Sequence, residues 1–449
     1  MPQANKTQTR LHLLNKALQS GTFLKARHML NGLAPAEIAH LIEAVPPNER
    51  IILWRLVNAE VEGEVLQYLN EDILNQIAKT MNTVELTHVL EDLDTDDLAD
   101  ILQTLPKRVT KQVIKSLDIL HRKRLEAVFS YPDDTAGGLM NTDTITVRPN
   151  ITLDVVQRYL RRHKEIPEMT DNILVINRKD QFIGVLPLTK LLLNKPSMTV
   201  RESMLTDEEA LPALLPQSEV ATLFERRDLI SAPVVDENNI LLGRITIDDV
   251  VDVIREDAEH SLMSMAGLDE DDDIFAPILT TSRRRSLWLG INTLTAFIAA
   301  MVMGLFAETI EKVVALAILS PVVASMGGIA GSQTLTLVIR GMAMGHVGFA
   351  NARMLLNREL AVGIVNGMVW AIIIGSVASL WWGDSSIGYI IAAATAINLV
   401  VAAICGATLP LLLKHHGIDP ALAGGVILTT VTDVVGFSSF LGLATLVYT

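Results

Sequence analysis

The sequence predicts a multi-domain protein built from an α-helical superhelix, a tandem pair of α/β modules, a long linker helix and a five-span α-helical membrane domain. Charge distribution, apolar run length and internal repetition carry that expectation. Of the 51 Asp and Glu residues only Glu308, Glu311, Glu359, Asp384, Asp419 and Asp433 lie beyond position 285, so nearly all of the net charge of −14 belongs to the part before it. Beyond that point come five apolar stretches of spanning length, at about 287–306, 313–340, 360–382, 387–413 and 421–448. Before it, two different patterns repeat.

The polar residues 1–10 contain no apolar signal region, so the charged part is expected in the cytoplasm. Its acidity argues against nucleic acid as a partner and against docking on anionic lipid, and favours a surface that holds divalent cations. The single cysteine, Cys405, lies in an apolar stretch, which excludes a disulfide framework and a thiolate metal site. The first repeat is short: Pro35-Ala-Glu-Ile-Ala-His-Leu-Ile-Glu-Ala-Val-Pro46 recurs as Thr83-Val-Glu-Leu-Thr-His-Val-Leu-Glu-Asp-Leu-Asp94 and at once as Thr95-Asp-Asp-Leu-Ala-Asp-Ile-Leu-Gln-Thr-Leu-Pro106. Each copy reads as an amphipathic helix that begins near a capping residue and ends at a breaker. Such helices cannot bury their apolar faces alone, so they stack, giving a helical superhelix over about residues 10–130.

The second repeat mixes strand and helix. Asp171-Asn-Ile-Leu-Val-Ile-Asn-Arg-Lys-Asp-Gln-Phe-Ile-Gly-Val-Leu186 matches Ser231-Ala-Pro-Val-Val-Asp-Glu-Asn-Asn-Ile-Leu-Leu-Gly-Arg-Ile245, each a β-hairpin with one helix before and another after. The pattern resembles a tandem pair of CBS domains, small α/β modules that often sense adenosine ligands. In the second copy Thr246-Ile-Asp-Asp249 keeps the Thr-x-x-Asp spacing whose carboxylate can hold a ribose, whereas the first has Leu186-Pro-Leu-Thr189. The resemblance implies a nucleotide site in one half only, at Thr246 and Asp249, with ATP as the candidate ligand.

In the apolar third, basic residues set the topology. Arg283, Arg284 and Arg285 precede the first span, Arg340, Arg353 and Arg358 bracket the connection from second to third, and Lys414 lies between fourth and fifth. All fall on the cytoplasmic side if the N-terminal part does, against Lys312 on the other side, and an odd number of spans then puts the C-terminus outside. The last span holds Asp433 within Leu428-Thr-Thr-Val-Thr-Asp-Val-Val-Gly436. A carboxylate at that depth costs at least about a few kcal/mol unless it faces water, a cation or a partner. It is a residue of an ion path or polar glue between helices. The second span, Ser320-Pro-Val-Val-Ala-Ser-Met-Gly-Gly-Ile-Ala-Gly-Ser-Gln333, is either broken at a binding site or a kinked, glycine-packed helix contact. Asn398, Thr429 and Thr430 join Asp433 as polar candidates.

Four matches in chain order carry a wider resemblance, to the MgtE family of magnesium channels, over nearly the whole length. They are Tyr131-Pro-Asp-Asp-Thr-Ala-Gly-Gly-Leu-Met140, Asp248-Asp-Val-Val-Asp-Val-Ile254, Met326-Gly-Gly with Gly331 and Gln333, and Asp419-Pro-Ala with Thr429-Thr-Val-Thr-Asp-Val-Val-Gly436. The resemblance implies a homodimer passing hydrated Mg²⁺ through a pore at its two-fold axis, Asp433 of each subunit forming a selective ring, with Gly328 among the pore residues. It also implies a plug helix in the linker over about 252–278, and domain limits at 1–131, 132–204, 205–254, 255–282 and 283–449. Ile329 stands where the family usually has Asn, and Val426 where it usually has Pro.

The chemistry agrees with this. Mg²⁺ is a hard ion that sheds its waters reluctantly, so carboxylate and carbonyl oxygens that hold the hydrated ion suit it. A divalent ion falling through 100 mV gains about 4.6 kcal/mol, and no Gly-x-x-x-x-Gly-Lys phosphate loop suggests a pump, so no enzyme is expected. Composition alone reads the acids as a solvated surface, and the resemblance implies a regulatory role for Asp96, Asp100, Asp228, Asp249, Asp252 and Asp257. Like charge can then supply a gate, because Asp96 and Asp100 on the superhelix, Asp228, Asp248, Asp249 and Asp252 around the second CBS module, and Glu256, Asp257 and Glu259 on the linker repel one another if packed close. A bound divalent cation relieves that repulsion and shuts the pore when the cytoplasm is replete. Asp419, before the last span, is the membrane-side contact. Pro216-Gln-Ser-Glu219 offers only Glu219 where the family carries more acids, His260 replaces a linker acid, and Asp269-Glu-Asp-Asp-Asp273 reads as a solvated tether. Two other classes stay open. One is a divalent cation exchanger coupled to Na⁺ or H⁺, against which the absence of further buried acids in the spans counts. The other is a membrane-anchored nucleotide sensor, which needs no Asp433.

Overall fold

Capping residues and prolines cut the N-terminal part into short helices. The computed structural model describes residues 23–448 except 92, 163–165, 168 and 269–272, so the expectations for 1–10 and for most of the acidic run 269–273 lie outside the described residues. The helices are α1 (Phe23–Leu30), α2 (Pro35–Glu43), α3 (Pro47–Trp54), α4 (Glu62–Gln67), α5 (Glu71–Ala78), α6 (Thr83–Leu90), α7 (Thr95–Thr104), α8 (Lys107–Ser116) and α9 (Ile119–Val128). Pro35 and Pro47 open α2 and α3, where a missing N–H leaves no hydrogen bond unmade. Asn82 caps α6 by accepting from the Val84 and Glu85 amides at 3.0 and 2.9 Å, while the Glu85 carboxylate accepts from the Asn82 amide at 3.0 Å. The repeat copies are α2, α6 and α7, and each buries one stripe: Ile38 and Ile42, Leu86 and Leu90, Leu98 and Leu102. Their core continues into the second α/β module through Phe224, Val234 and Ile245.

Each module is a three-stranded sheet, β1 (Thr146–Val147), β2 (Asn172–Ile176) and β3 (Phe182–Pro187) in the first, β4 (Leu211–Pro212), β5 (Ser231–Val235) and β6 (Leu241–Thr246) in the second. In both, a short strand runs parallel to the middle one, which pairs antiparallel with the third, setting Val175 opposite Gly184 and Val234 opposite Gly243. Those glycines are the fixed points of the repeat. Gly184 has φ +149°, and a Cβ would lie 2.2 Å from the Leu205 carbonyl there and, at Gly243, 2.6 Å from that of Asn141. Bare backbone lets Leu205 and Asn141 bridge onto Val185 and Arg244. The accompanying helices are α10 (Leu153–Leu160), α11 (Leu188–Leu193), α12 (Val200–Ser203), α13 (Gln217–Arg227) and α14 (Ile247–Met265).

α14 crosses position 254 unbroken, so the last helix of the second module and the start of the linker are one rod. Its residues up to Asp257 belong to the N-terminal compact unit and those from Ala258 to the membrane unit. The linker helix expected over 255–282 ends at Met265, because Gly267 takes a left-handed φ of +69°, and a new helix starts at Ile278.

The membrane unit contains α15 (Ile278–Gly304), the short α16 (Ala307–Lys312), α17 (Ala315–Ala343), α18 (Ala352–Trp382), α19 (Ser385–His415) and α20 (Pro420–Tyr448). Among the described residues, five helices, all of these but α16, are long and apolar enough to cross a membrane. Gly363, Gly367, Ala371 and Gly375 recur every fourth residue on α18. A Cβ at Gly363 would sit 2.7 Å from Ala403 Cβ and one at Gly375 2.8 Å from the Gly388 carbonyl, so α18 and α19 meet backbone to backbone. α15 packs least, burying Ala299 and leaving Leu287, Leu294, Phe297 and Met301 65–73 % exposed.

The second span is not broken. α17 runs through Pro321 for 29 residues, which settles its two readings in favour of a glycine-packed contact. A break would leave several backbone groups unpaired in an apolar setting, each at a cost of several kcal/mol, whereas the proline removes one N–H. The Ser320 hydroxyl donates to the Leu316 carbonyl at 2.7 Å on the turn before the proline. A Cβ at Gly327 would lie 2.2 Å from Asn398 Nδ2 and one at Gly331 2.8 Å from Leu428 Cδ1, whereas Gly328 has nothing within 4 Å. Gly327→Ala is therefore expected to destabilise by about 1–3 kcal/mol through overpacking, and Gly328→Ala to leave thermal unfolding in detergent nearly unchanged. Equal effects would contradict the packing described.

Candidate functional site

The polar residues of the last span sort onto two faces. α20 buries Gly424, Leu428, Thr432, Gly436 and Phe440 in a stripe at every fourth residue. Thr429 and Asp433, also four apart, lie together beside it, Thr429 exposed and Asp433 half-buried. The Thr429 and Thr430 hydroxyls donate to the Gly425 and Val426 carbonyls at 2.8 and 2.7 Å, which leaves their oxygen lone pairs outward. Among the described residues the Asp433 carboxylate makes no hydrogen bond or ion pair. Gly328 and Ile329 stand on an open face of α17, Ile329 at 57 % exposure.

Asn398 departs from its expected place on an ion path. It is fully buried, donates to the Val323 carbonyl at 2.9 Å, and sits where a Cβ on Gly327 or Gly436 would strike its amide. Two glycines leave a slot between α17 and α20 that this side chain of α19 fills, its Nδ2 tying helices together while its buried Oδ1 has no partner among the described residues. Glu359 also departs from expectation. It is 5 % exposed and accepts from Thr334 Oγ1 at 3.2 Å, with Arg358 at 3.5 Å. α18 begins at Ala352 rather than near 360, which carries this acid into the span, so the spans do hold a second buried carboxylate.

A second cluster lies in the N-terminal unit, where the start of α7 meets the start of α14. Asp96 is 6 % exposed; burial first, then the charges of Asp249, Asp97 and Asp94, push its carboxyl well above the aspartate range. Burial and the Asp249 and Asp100 charges raise Asp97 to about 8. Asp249 is raised to about 7 by burial and Asp248, although it accepts from the Thr246 amide and hydroxyl at 3.2 and 3.0 Å. Asp100 is pushed up by desolvation and by Asp249, Glu256, Asp133 and Asp252, but its side chain opens to solvent, which tempers the effect. Desolvation raises Asp252 against the opposing pull of Arg255, 3.3 Å away. Asp97 was not among the residues singled out from the sequence; the doubled Asp96-Asp97 at the first turn of α7 was its signal.

The other candidates scatter. Asp248, Glu256, Asp257 and Glu259 are exposed along α14. Asp228 is exposed at the end of α13 in a left-handed conformation with φ +51°, a place set by chain reversal. Asp419 caps α20, its Oδ1 accepting from the Ala421 amide at 2.9 Å and its Oδ2 from the Leu422 amide at 3.2 Å, and His260 Nε2 of α14 lies 3.3 Å from that Oδ2. Among the described residues no three His, Cys, Asp or Glu side chains converge as a metal-coordinating group. The cluster is an electrostatic one, fit to hold a hydrated hard cation through its waters rather than to strip it. The Thr246–Asp249 pair is closed on itself, its acid serving as the cap of α14.

Asp273 corrects the solvated-tether expectation. It is buried against Arg50, whose Nη1 and Nη2 donate to its two carboxylate oxygens at 2.6 and 2.7 Å.

Known proteins share this organisation. The sequence pattern of MgtE, a divalent cation transporter, matches residues 320–443, that of the MgtE intracellular N domain matches 33–134, and that of the CBS domain matches 136–197 and 200–256. The magnesium transporter MgtE of Thermus thermophilus is 32 % identical over 441 residues, 96 % of this chain and 97 % of that one. The magnesium transporter MgtE of Bacillus subtilis is 30 % identical over 74 % of each chain. A solved cytosolic domain of the Mg²⁺ channel MgtE in complex with ATP is similar with a TM-score of 0.50 and 33 % identity, covering 54 % of this chain and 98 % of that one. With relatives matched nearly end to end and all three patterns in order, the chain belongs to the MgtE family of magnesium transporters.

Proposed function

We propose that this protein is a Mg²⁺-selective channel for magnesium uptake, closed when cytoplasmic Mg²⁺ is high. The observation that carries this reading is the Asp433 carboxylate, half-buried at mid-helix and unpartnered among the described residues. An unpaired charge at that depth needs water or a cation. Thr429 on the same face adds a neutral oxygen one turn away, which suits a hydrated ion. The exposed apolar faces of α15 and α17 suit a homodimer in which two such carboxylates share one path. The basic residues at 283–285, 340, 353, 358 and 414 favour a cytoplasmic N-terminus and an outer C-terminus. Purified protein in proteoliposomes should pass Mg²⁺ down its own gradient with no Na⁺ or H⁺ gradient present; a strict need for either would contradict a channel.

Closure draws on the carboxylates of α7 and α14. The weakened acidity of Asp96, Asp97 and Asp249, whose carboxyl pKa values are all pushed up, means that the packed arrangement is short of positive charge at neutral pH. A hydrated divalent cation supplies that charge. Without it Asp96, Asp97, Asp100, Asp249 and the nearby Asp94, Asp133, Asp248, Asp252 and Glu256 repel, favouring separation of the superhelix from the second CBS module. ATP, found with a similar cytosolic domain, is a second effector at the CBS pair, with Thr246 as the residue left to test since Asp249 serves the acid cluster.

The pH dependence has a definite sign. These acids hold protons more tightly packed than apart, so packing is favoured below the ordinary aspartate value near 4 and loses that support as pH rises through about 7 to 8. In the absence of divalent cations, protease cleavage within 252–278 is expected to be slow at pH 6 and fast at pH 8.5, with Mg²⁺ removing the difference. Faster cleavage at the lower pH would contradict the cluster as gate.

Glu359 favours a second reading, a proton-coupled exchanger, because it is a buried acid in a span. Its bond to Thr334 gives it a structural use already, and uptake by Glu359→Gln driven equally well by a Mg²⁺ gradient would set the exchanger aside.

A further inference from the structure

Arg50 is the largest of the fully buried side chains, a charged group in the first turn of α3 with 0 % exposure. Burying a guanidinium is costly unless every donor is used, and here each is. Nε donates to the Ile42 carbonyl at 3.2 Å, Nη2 to the Glu43 carbonyl at 3.3 Å and Nη1 to Gln76 Oε1 at 3.4 Å. Helices α2 and α5 thus fix the planar group, leaving its forked edge to one carboxylate, which Asp273 fills with two parallel bonds of 2.6 and 2.7 Å. Asp273 itself is shaped for the task. Its Oδ1 also accepts from the Phe275 amide at 2.8 Å, and its carbonyl from the Ala276 amide at 3.1 Å, closing a tight turn four residues before Pro277, the residue that caps α15. Burial alone would raise the Asp273 carboxyl, but the Arg50 bonds, the Phe275 amide and the Arg50 charge hold it below the ordinary value, so it stays ionised at any neutral pH.

We propose that Arg50, with Gln76 and the Ile42 and Glu43 carbonyls, is a carboxylate-binding site on the superhelix whose ligand is Asp273, and that the turn it grips is a strap linking the superhelix to the first span. Any movement of the superhelix beyond the slack of the few residues before α15 must pull on that helix or break the grip. The superhelix then has two lines to the membrane part: α14, and this strap. The regulatory role of the strap rests on the gating reading above; the grip itself does not.

The test uses full-length protein in lipid nanodiscs and proteoliposomes, with Asp273→Asn, Arg50→Lys and, for reference, Asp249→Asn. Asp273→Asn should speed hydrogen exchange at the Phe275 and Ala276 amides and leave Mg²⁺ influx at low internal Mg²⁺ as in wild type. It should raise the internal Mg²⁺ giving half-inhibition by about fivefold or more, the lower end of ordinary coupling between sites. Arg50→Lys, a point charge that cannot make two parallel bonds, should do the same if it folds. Unchanged exchange in Asp273→Asn overturns the grip. Faster exchange with an unshifted inhibition curve, while Asp249→Asn shifts it, overturns the strap and leaves the gate standing. Curves unmoved in both variants sink the gating reading and the strap with it, the exchange result alone then deciding the grip.

Discussion

Asp433→Asn is expected to cut Mg²⁺ flux by about a hundredfold or more while leaving thermal unfolding close to wild type. A doubly charged ion about 5 Å from one carboxylate gains roughly 1.7 kcal/mol even at the dielectric of bulk water, and two subunits double that to about 3.3 kcal/mol. Each 1.4 kcal/mol is worth about a factor of ten in occupancy. Asparagine keeps the volume and the oxygen, so loss of flux measures charge. Asp433 borders the buried stripe without joining it and makes no bond among the described residues, which is why folding should tolerate the change. Alanine should abolish flux as well. Radiotracer uptake into proteoliposomes reads both variants, and flux within a factor of about three of wild type would mean that the carboxylate does not govern the path.

Asp249→Asn is expected to leave the open pore conducting but to raise the Mg²⁺ needed for half-inhibition by at least about tenfold, as the loss of one charge from the effector site requires. The amide can still accept from Thr246, so the start of α14 keeps its cap. Asp96, Asp97 and Asp100 remain, and their mutual repulsion still opens the cation-free protein. Moving a gate from mostly shut to mostly open takes about 5.5 kcal/mol of differential binding, so one acid among several should shift the curve rather than erase it. Asp228→Asn, at an exposed chain reversal, should shift it less. Inhibition at wild-type Mg²⁺ in Asp249→Asn would show that the cluster is a passive acidic surface.

Much of this was legible in residue order because it rests on periodicity. The repeats at 35, 83 and 95 became α2, α6 and α7, and the paired Gly184 and Gly243 became matching sheet positions, since each reports a local steric demand. The five spans followed from length and composition. Tertiary choices were less visible. Glycine and proline in 320–333 signal either a break or a close contact, and only the side chains of Asn398 and Leu428 across from Gly327 and Gly331 decide between them. Asn398 resembles a pore residue in sequence because burial between helices and exposure to an ion demand the same polar side chain. Arg50 and Asp273, 223 positions apart, carry no shared local pattern, so neither neighbourhood announces the pair.

Single-channel recording in a planar bilayer is the most direct measurement. A Mg²⁺ channel predicts unitary current steps carried by Mg²⁺ alone, lost in Asp433→Asn, with open probability falling towards zero as Mg²⁺ on the N-terminal side rises. Transport without unitary steps, at a fixed ratio to Na⁺ or H⁺ and indifferent to Mg²⁺ on that side, would contradict both the pore and its gate.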